Sequence, residues 1–387
     1  MSEGIYLDHH ATTPLDERIL EKMLPYFTIE FGNASSIDHI HGNAAKQAVE
    51  DSRSKIANIL GCRKSSEIIF TSGATESNNI ALIGAFRKYK DKGNHIISTA
   101  IEHPSILDTL EYLKQEGADV TLLPVDRYGQ IDLKKLEAEI RENTILLSVM
   151  FANNEIGTIQ PIGEIGKIAK AREVLFHCDA AQAVSYERIK VDELGVDLLS
   201  LSSHKFYGPK GIGGLYIRSF SPMVRLNPVI FGGGHERGFR SGTLNVPGIV
   251  GMAEALVLAE KLKRTEKEKL RKLRDTIYTE LKDAFPDIKY NGHPVERLVH
   301  NLNITIPGVE AKALMHKLKA SALKGNPRRA ATAPADDTSL SGTYIAGRPI
   351  PCQAFGFRAG FSNDGLHTLG LMQGEAVWNV LTTLPNV

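Results

Sequence analysis

DLLSLSSHKFYGPKGIGG, residues 197–214, carries the pattern from which the architecture is read. Asp197, Leu198, Leu199 and Leu201 make a short apolar run, too brief for a helix and suited to a strand buried in a parallel sheet. Ser202, Ser203 and His204 then place three hydrogen-bonding side chains in a row, and Lys205 follows. Gly208, Pro209, Gly211, Gly213 and Gly214 come next, so the backbone is fixed by turns and open to close approach. An ammonium at the mouth of a buried strand is costly to desolvate, which drives such a lysine toward its neutral, nucleophilic form. A Schiff-base lysine needs that environment. A lysine in a glycine-rich loop is more often an ordinary surface residue. Here the preceding Ser-Ser-His, suited to an anion such as phosphate, argues for chemistry.

Outward from this stretch, strand-like runs recur at 67–71, 94–99, 119–124, 144–150, 174–178 and 214–217, with helical stretches at 104–115, 132–142 and 161–172 between them. Alternation of this kind means crossover connections: an α/β fold with a mostly parallel sheet and helices on both faces. Upstream, helices are expected over Asp16–Phe27 and, with Val49, Ile56, Ile59 and Leu60 on one face, up to Gly61. Residues 31–42 between them read as a polar loop. The 387 residues suit two domains, or one large domain with a smaller one appended.

Composition is that of a soluble globular protein, 42% hydrophobic and 24% charged. A net charge of +1 provides no global field to recruit nucleic acid or an acidic membrane. KLKRTEKEKLRKLRD (261–275) interleaves Glu with its basic residues and reads as a solvated helix face. No apolar run approaches a membrane span and no signal peptide is recognisable, so the cytoplasm is the expected location. Cys62, Cys178 and Cys352 are too scattered for a disulfide framework or metal cluster. Adjacent His9 and His10 would point to opposite faces of a strand and make a poor metal pair.

In open parallel sheets, ligands bind beyond the carboxyl ends of the strands, so the residues there matter most. Ser72-Gly73-Ala74-Thr75 opens a helix after one strand, leaving backbone N–H groups for a phosphate, with the Thr75 hydroxyl beside them. His103, Asn154 and Asp179–Gln182 follow three other strands. A carboxylate such as Asp179, emerging from a buried strand, needs a cationic partner, and a protonated ring nitrogen would serve. A phosphate site, an acid for a pyridine nitrogen and a lysine together match the requirements of pyridoxal 5'-phosphate.

Longer motifs agree: YLDHHATTP (6–14), FGNASSIDHIHG (31–42), TSGATESNN (71–79), EHPSIL (102–107), NNEIGTIQP (153–161), HCDAAQ (177–182), SSHKFYGPKGIGG (202–214), GGGHERGFRSGT (232–243) and LNITI (302–306). In these, over about residues 5–320, the chain resembles the cysteine desulfurases of the class V aminotransferase group, in the branch that supplies sulfur for iron–sulfur clusters. The resemblance implies a fold-type-I pyridoxal-phosphate architecture, with a large domain over 15–262 and a small domain from 1–14 and 263–387. It implies that Lys205 bonds the cofactor and that the His103 imidazole stacks on its ring. Ala74, Thr75, Ser202 and His204 resemble the phosphate set, Asp179 the partner of the ring nitrogen, and Asn154 and Gln182 residues holding ring substituents. Thr243 resembles a residue that reaches the phosphate of a neighbouring subunit, which implies a homodimer. The implied reaction converts L-cysteine to L-alanine. The freed lysine moves the α-proton, and a protein thiolate takes the sulfur as a persulfide for an iron–sulfur scaffold or another acceptor protein.

One part of the pattern is absent. The window that would carry the family's loop cysteine reads ALKGNPRRAATAPADDTS (322–339), without cysteine. Residues 322–365 are rich in Ala, Pro, Arg and Gly and read as a linker, a disordered stretch or the product of an altered reading frame. Cys352 is the remaining candidate for the persulfide thiol and Arg358 for the substrate-carboxylate arginine. Cys178 reads as a buried strand-end residue and Cys62 as carrying no chemistry. Two other readings stay open: a related lyase or aminotransferase, such as one acting on selenocysteine, and an inactive cofactor-binding partner in a sulfur-transfer complex.

Overall fold

A computed structural model describes residues 5–309 and the backbone of short strands at 323–324, 344–345, 348–349 and 354–358. Seven strands form the central sheet, in the order Ile68–Thr71, Gly213–Ile217, Leu198–Ser202, Leu175–Asp179, Thr144–Ser148, His95–Thr99, Asp119–Leu123. All neighbours pair in parallel except Gly213–Ile217, which runs antiparallel to both of its neighbours. Side chains alternate across the sheet. Ile68, Phe70, Leu199 and Leu201 enter a core shared with helices Ile40–Leu60 and Val246–Ala284. Ile69 and Leu198 enter a second core with helices Ala74–Tyr89 and Pro104–Gln115. Burial on both faces is why these strands read as continuous apolar runs.

The expected strands and helices are all present, with ends moved by at most three residues and the helix 104–115 unmoved. Two expectations are corrected. The helix before Gly61 begins at Ile40, inside the supposed loop 31–42, because the His39 imidazole caps it by accepting from the Gly42 N–H at 3.1 Å. The stretch Asp16–Phe27 is divided into Glu17–Met23 and Pro25–Thr28, since Pro25 has no N–H to continue the first helix. The basic cluster 261–275 lies within the 39-residue helix Val246–Ala284, which runs unbroken through residue 262; its residues are exposed or half-buried except Leu270, which is buried. Beyond that helix, Asn301–Thr305 pairs antiparallel with Lys289–Tyr290 on one side and Ala354–Arg358 on the other. No helix among the described residues is long and apolar enough to cross a membrane.

The chain passes from His95–Thr99 outward to Asp119–Leu123, then returns to Thr144–Ser148 on the other side of the first strand. This reversal opens a crevice at the carboxyl ends of the two inner strands, where α/β sheets bind ligands.

Candidate active site

A cavity of about 540 Å³ occupies that sheet edge. It collects nine residues singled out from the sequence: Ala74, Thr75, His103, Asn154, Asp179, Gln182, Ser202, His204 and Lys205. Thr243 is exposed and does not line it. Arg358 is described only by its backbone, opposite Asn301 in the ladder, and Cys352 lies outside the described residues. Cys178 is fully buried beneath the site, and burial pushes its thiol well above the ordinary value. Cys62 is pushed up to about 12 by burial and by Glu67 and Asp192. Neither cysteine lines the cavity.

The floor is a hydrogen-bonded chain. Asp179 ends its strand, accepting from the Ala181 N–H at 2.9 Å and from Asn78 Nδ2 at 2.8 Å. Asn78 Nδ2 also donates to Ser105 Oγ at 2.8 Å, and that hydroxyl lies 2.9 Å from His103 Nδ1. Because His103 Nδ1 also accepts from the Ser105 N–H at 3.1 Å, a neutral ring carries its proton on Nε2. One strand layer down, His177 spans Ser148 Oγ (2.9 Å) and Ser200 Oγ (3.0 Å), and burial lowers its pKa to about 4. It therefore stays neutral and gives Asp179 no counter-charge. Glu102 is also buried, accepting from Thr99 Oγ1 at 2.6 Å and the Met150 N–H at 2.9 Å. Burial pushes it up to about 8, so it too is neutral at pH 7.

The rim is built for an anion. Helix Ala74–Tyr89 starts at Gly73 with no side-chain cap, leaving first-turn N–H groups for a ligand. Gly213 allows this turn to sit low, since a Cβ there would meet Gly73 Cα at 2.6 Å. His204 lies beside it, lowered to about 4 by burial and by Lys205 and Lys210. The motif YLDHHATTP supplies a wall, a role that its sequence did not reveal. Lys205 Nζ donates to the carbonyls of His10 and Ala11, the latter at 3.1 Å, and Gln182 Nε2 shares the His10 carbonyl at 3.1 Å. Thr13 ties the wall to the lysine turn, its N–H donating to the His204 carbonyl at 2.9 Å and its hydroxyl accepting from the Tyr207 N–H at 2.8 Å. In this arrangement His10 stacks on His300, with ring centroids 4.2 Å apart, and His9 meets Tyr6 edge-on at 5.2 Å.

Pyridoxal phosphate makes three demands, for an anion cradle, a carboxylate for a cationic ring nitrogen, and an amine for its aldehyde. The uncapped helix start, Asp179 and Lys205 supply these around one cavity. Among the described residues, no cationic side chain bridges Asp179, so the residues fit the group.

This fold and site define a pyridoxal-phosphate enzyme of fold type I. The chain belongs to the class V aminotransferase family, whose model matches residues 5–324, and pyridoxal phosphate is its cofactor. It is 48% identical over 319 residues to the cysteine desulfurase IscS of Anaeromyxobacter sp. (strain Fw109-5), covering 82% of this chain and 78% of that one. It is 50% identical over 323 residues to the IscS of Glaesserella parasuis serovar 5 (strain SH0165), covering 82% and 79%. Among solved structures, a NifS-like protein superposes with a TM-score of 0.84 at 33% identity, covering 97% of this chain and 99% of that one. SspA in complex with cysteine gives 0.70 at 37%, covering 81% and 86%. The family match ends at residue 324, where the departure near the expected cysteine loop begins.

Proposed function

We propose that this chain is a cysteine desulfurase in which Lys205 is the amine that engages pyridoxal phosphate and moves the α-proton of L-cysteine. The observation that carries the reading is the convergence of Lys205, Asp179 and an uncapped helix start on one cavity. When bound, the cofactor supplies an electron sink for the substrate's α-carbon. The chain's own residues do the rest. Ala74, Thr75, Ser202 and His204 receive the phosphate, the neutral His204 ring being able to donate one N–H without adding charge. Asp179, steadied by Asn78, holds the ring nitrogen in its protonated form. His103, steered by Ser105, covers the ring, and Asn154 and Gln182 orient its substituents.

Sulfur transfer needs a thiolate whose sulfur bonds the substrate sulfur while the substrate C–S bond breaks. The electron pair and a proton then go to carbon, and alanine leaves. Cys352 is our candidate thiol and Arg358 our candidate for the substrate carboxylate. We assign the large domain to 15–262, the small one to 1–14 and 263–387, and the place of work to the cytoplasm. A homodimer is supported by exposed Phe27, Ile29, Phe31, Ile37 and Ile40 in one segment, together with exposed Thr243. An acceptor such as an iron–sulfur scaffold protein would receive the sulfur.

The test is to add L-cysteine to the purified holoenzyme while following cofactor absorbance, alanine and sulfide. Wild-type protein should show a visible cofactor band that Lys205→Ala loses. If both proteins carry the same band, the assignment of Lys205 fails. Alanine with persulfide, abolished in Cys352→Ser, would support the thiol assignment. A band that shifts with cysteine but yields no alanine would favour the inactive-partner reading.

A further inference from the structure

The segment 153–157, NNEIG, has no regular secondary structure, yet it carries Asn154 into the cavity. Its backbone is held from two directions. From within, Asn153 Oδ1 accepts from the N–H groups of Glu155 and Ile156 at 2.8 and 3.0 Å, and Asn153 Nδ2 donates to the Ile101 carbonyl at 3.0 Å. From outside, the hold comes from residues 297–303. Asn301 Nδ2 and Asn303 Nδ2 both donate to the Glu155 carbonyl at 3.0 Å. Arg297 Nη2 donates to the Ile156 carbonyl at 3.0 Å and to Asn301 Oδ1 at 2.7 Å, and the Leu298 N–H donates to the Gly157 carbonyl at 2.9 Å. Loop and strand meet without spare room: a Cβ on Gly157 would lie 2.5 Å from Asn301 Cγ.

Arg297 is an unusual residue to find here. It is 3% exposed, and among the described residues its hydrogen-bond partners are carbonyl and amide oxygens. Nη1 donates to the carbonyls of Asn291 and His293 at 3.0 and 3.3 Å, and the guanidinium lies 4.0 Å from the Tyr290 ring centroid. Burying a charge without a counter-ion is expensive, and polar groups kept at such expense can serve to specify one arrangement. The arrangement specified is that of the Asn154 loop. Asn303, from the motif LNITI, thereby acquires a role that the sequence alone did not suggest.

We propose that Arg297, Asn301 and Asn303 form a positioning clamp that sets Asn154 toward the bound cofactor, so that the strand Asn301–Thr305 and the Asn154 loop act as one unit. The inference rests on the reading of Asn154 as a residue that holds the cofactor ring. In the ladder, Asn301 lies opposite Arg358.

The experiment is a double-mutant cycle on the holoenzyme, comparing Asn154→Ala, Asn301→Ala and both together. The readouts are pyridoxal-phosphate affinity by absorbance titration and the pH midpoint of the visible band. Losing one oriented hydrogen bond should weaken the cofactor about tenfold in Asn154→Ala, with a similar loss in Asn301→Ala. The double variant should match the single ones within about twofold, because Asn301 acts through Asn154. Asn303→Ala, which leaves the Asn301 donor to Glu155 in place, should weaken the cofactor in the same direction and less. Additive losses in the double variant, or wild-type affinity in both Asn301→Ala and Asn303→Ala, would overturn the clamp while leaving the Asn154 reading intact. Wild-type affinity in Asn154→Ala would overturn both.

Discussion

Glu236 sits in the loop GGGHERGFRSGT, and its carboxylate is almost wholly buried against the guanidinium of Arg53 from helix Ile40–Leu60. The pair is bidentate, with Arg53 Nη1 and Nη2 each 2.8 Å from a Glu236 oxygen. Glu236 Oε2 also accepts from the Phe70 N–H at 2.7 Å, while Arg53 Nη1 donates to the Ile68 carbonyl at 2.6 Å and lies over the Phe70 ring. Glu236→Ala would leave the buried guanidinium with only the half-exposed Glu50, 3.2 Å from its Nε, as a counter-charge, an effect of about 3–5 kcal/mol. At roughly 2 °C per kcal/mol for a chain of this size, the thermal midpoint should fall by about 6–10 °C. Arg53→Met/Glu236→Leu removes both charges and leaves chiefly the Phe70 N–H unsatisfied, a deficit of about 1–3 kcal/mol. The double variant should therefore be more stable than Glu236→Ala, although it carries an extra substitution. Urea unfolding followed by far-ultraviolet circular dichroism measures both. A loss under ~1 kcal/mol in Glu236→Ala, or a double variant as unstable as the sum of the single changes, would refute the claim that the loop is pinned by a desolvated ion pair.

Glu102→Gln tests the neutral carboxyl under the cofactor site. Its folded pKa of about 8 lies above the ordinary carboxyl value, so its contribution is fully present below the unfolded pKa and is lost as pH rises through the folded one. The thermal midpoint of Glu102→Gln relative to wild type should thus be higher at pH 8 than at pH 5, and equal differences would count against burial as the cause. His177 and His204 shift the other way, both lowered to about 4, so the stability they contribute falls as pH drops from their ordinary range through that value. Unfolding midpoints of His177→Gln should be less acid-sensitive than those of wild type over pH 6.5–4. At Gly157, φ is +75° and a Cβ would strike Asn301, so Gly157→Ala should lose about 1–3 kcal/mol of stability and weaken cofactor binding. Unchanged cofactor affinity in that variant would show that the loop tolerates displacement. Asp179→Asn should lower cofactor affinity with little change in far-ultraviolet dichroism, since the one amide oxygen still accepts from the Ala181 N–H and only the oxygen facing Asn78 Nδ2 is lost.

Much of the architecture was legible in the chain because it depends on local chemistry. Strand and helix periods, glycine-rich turns and polar residues placed just after apolar runs are properties of neighbouring residues. They were enough to mark Lys205, Asp179 and the helix start after Ser72 as occupants of one sheet edge. What joins those groups into a site is not local. Asn78 reaches Asp179 across 101 positions and Lys205 reaches the His10 carbonyl across 195, through a sheet order that only the folded chain fixes. Local helix chemistry was also misjudged where a cap was supplied by an imidazole, at His39, instead of a hydroxyl or carboxylate. The neutrality of Glu102 and His177 is a property of depth, since their side chains are ordinary ionisable groups until the sheet removes water from them. Sequence by itself determined which chemical groups the site could draw on. Tertiary structure decided which are charged, which are paired, and which residues, such as Arg297, hold the loop that carries Asn154, because hydrogen bonds and desolvation depend on distances that chain order does not encode.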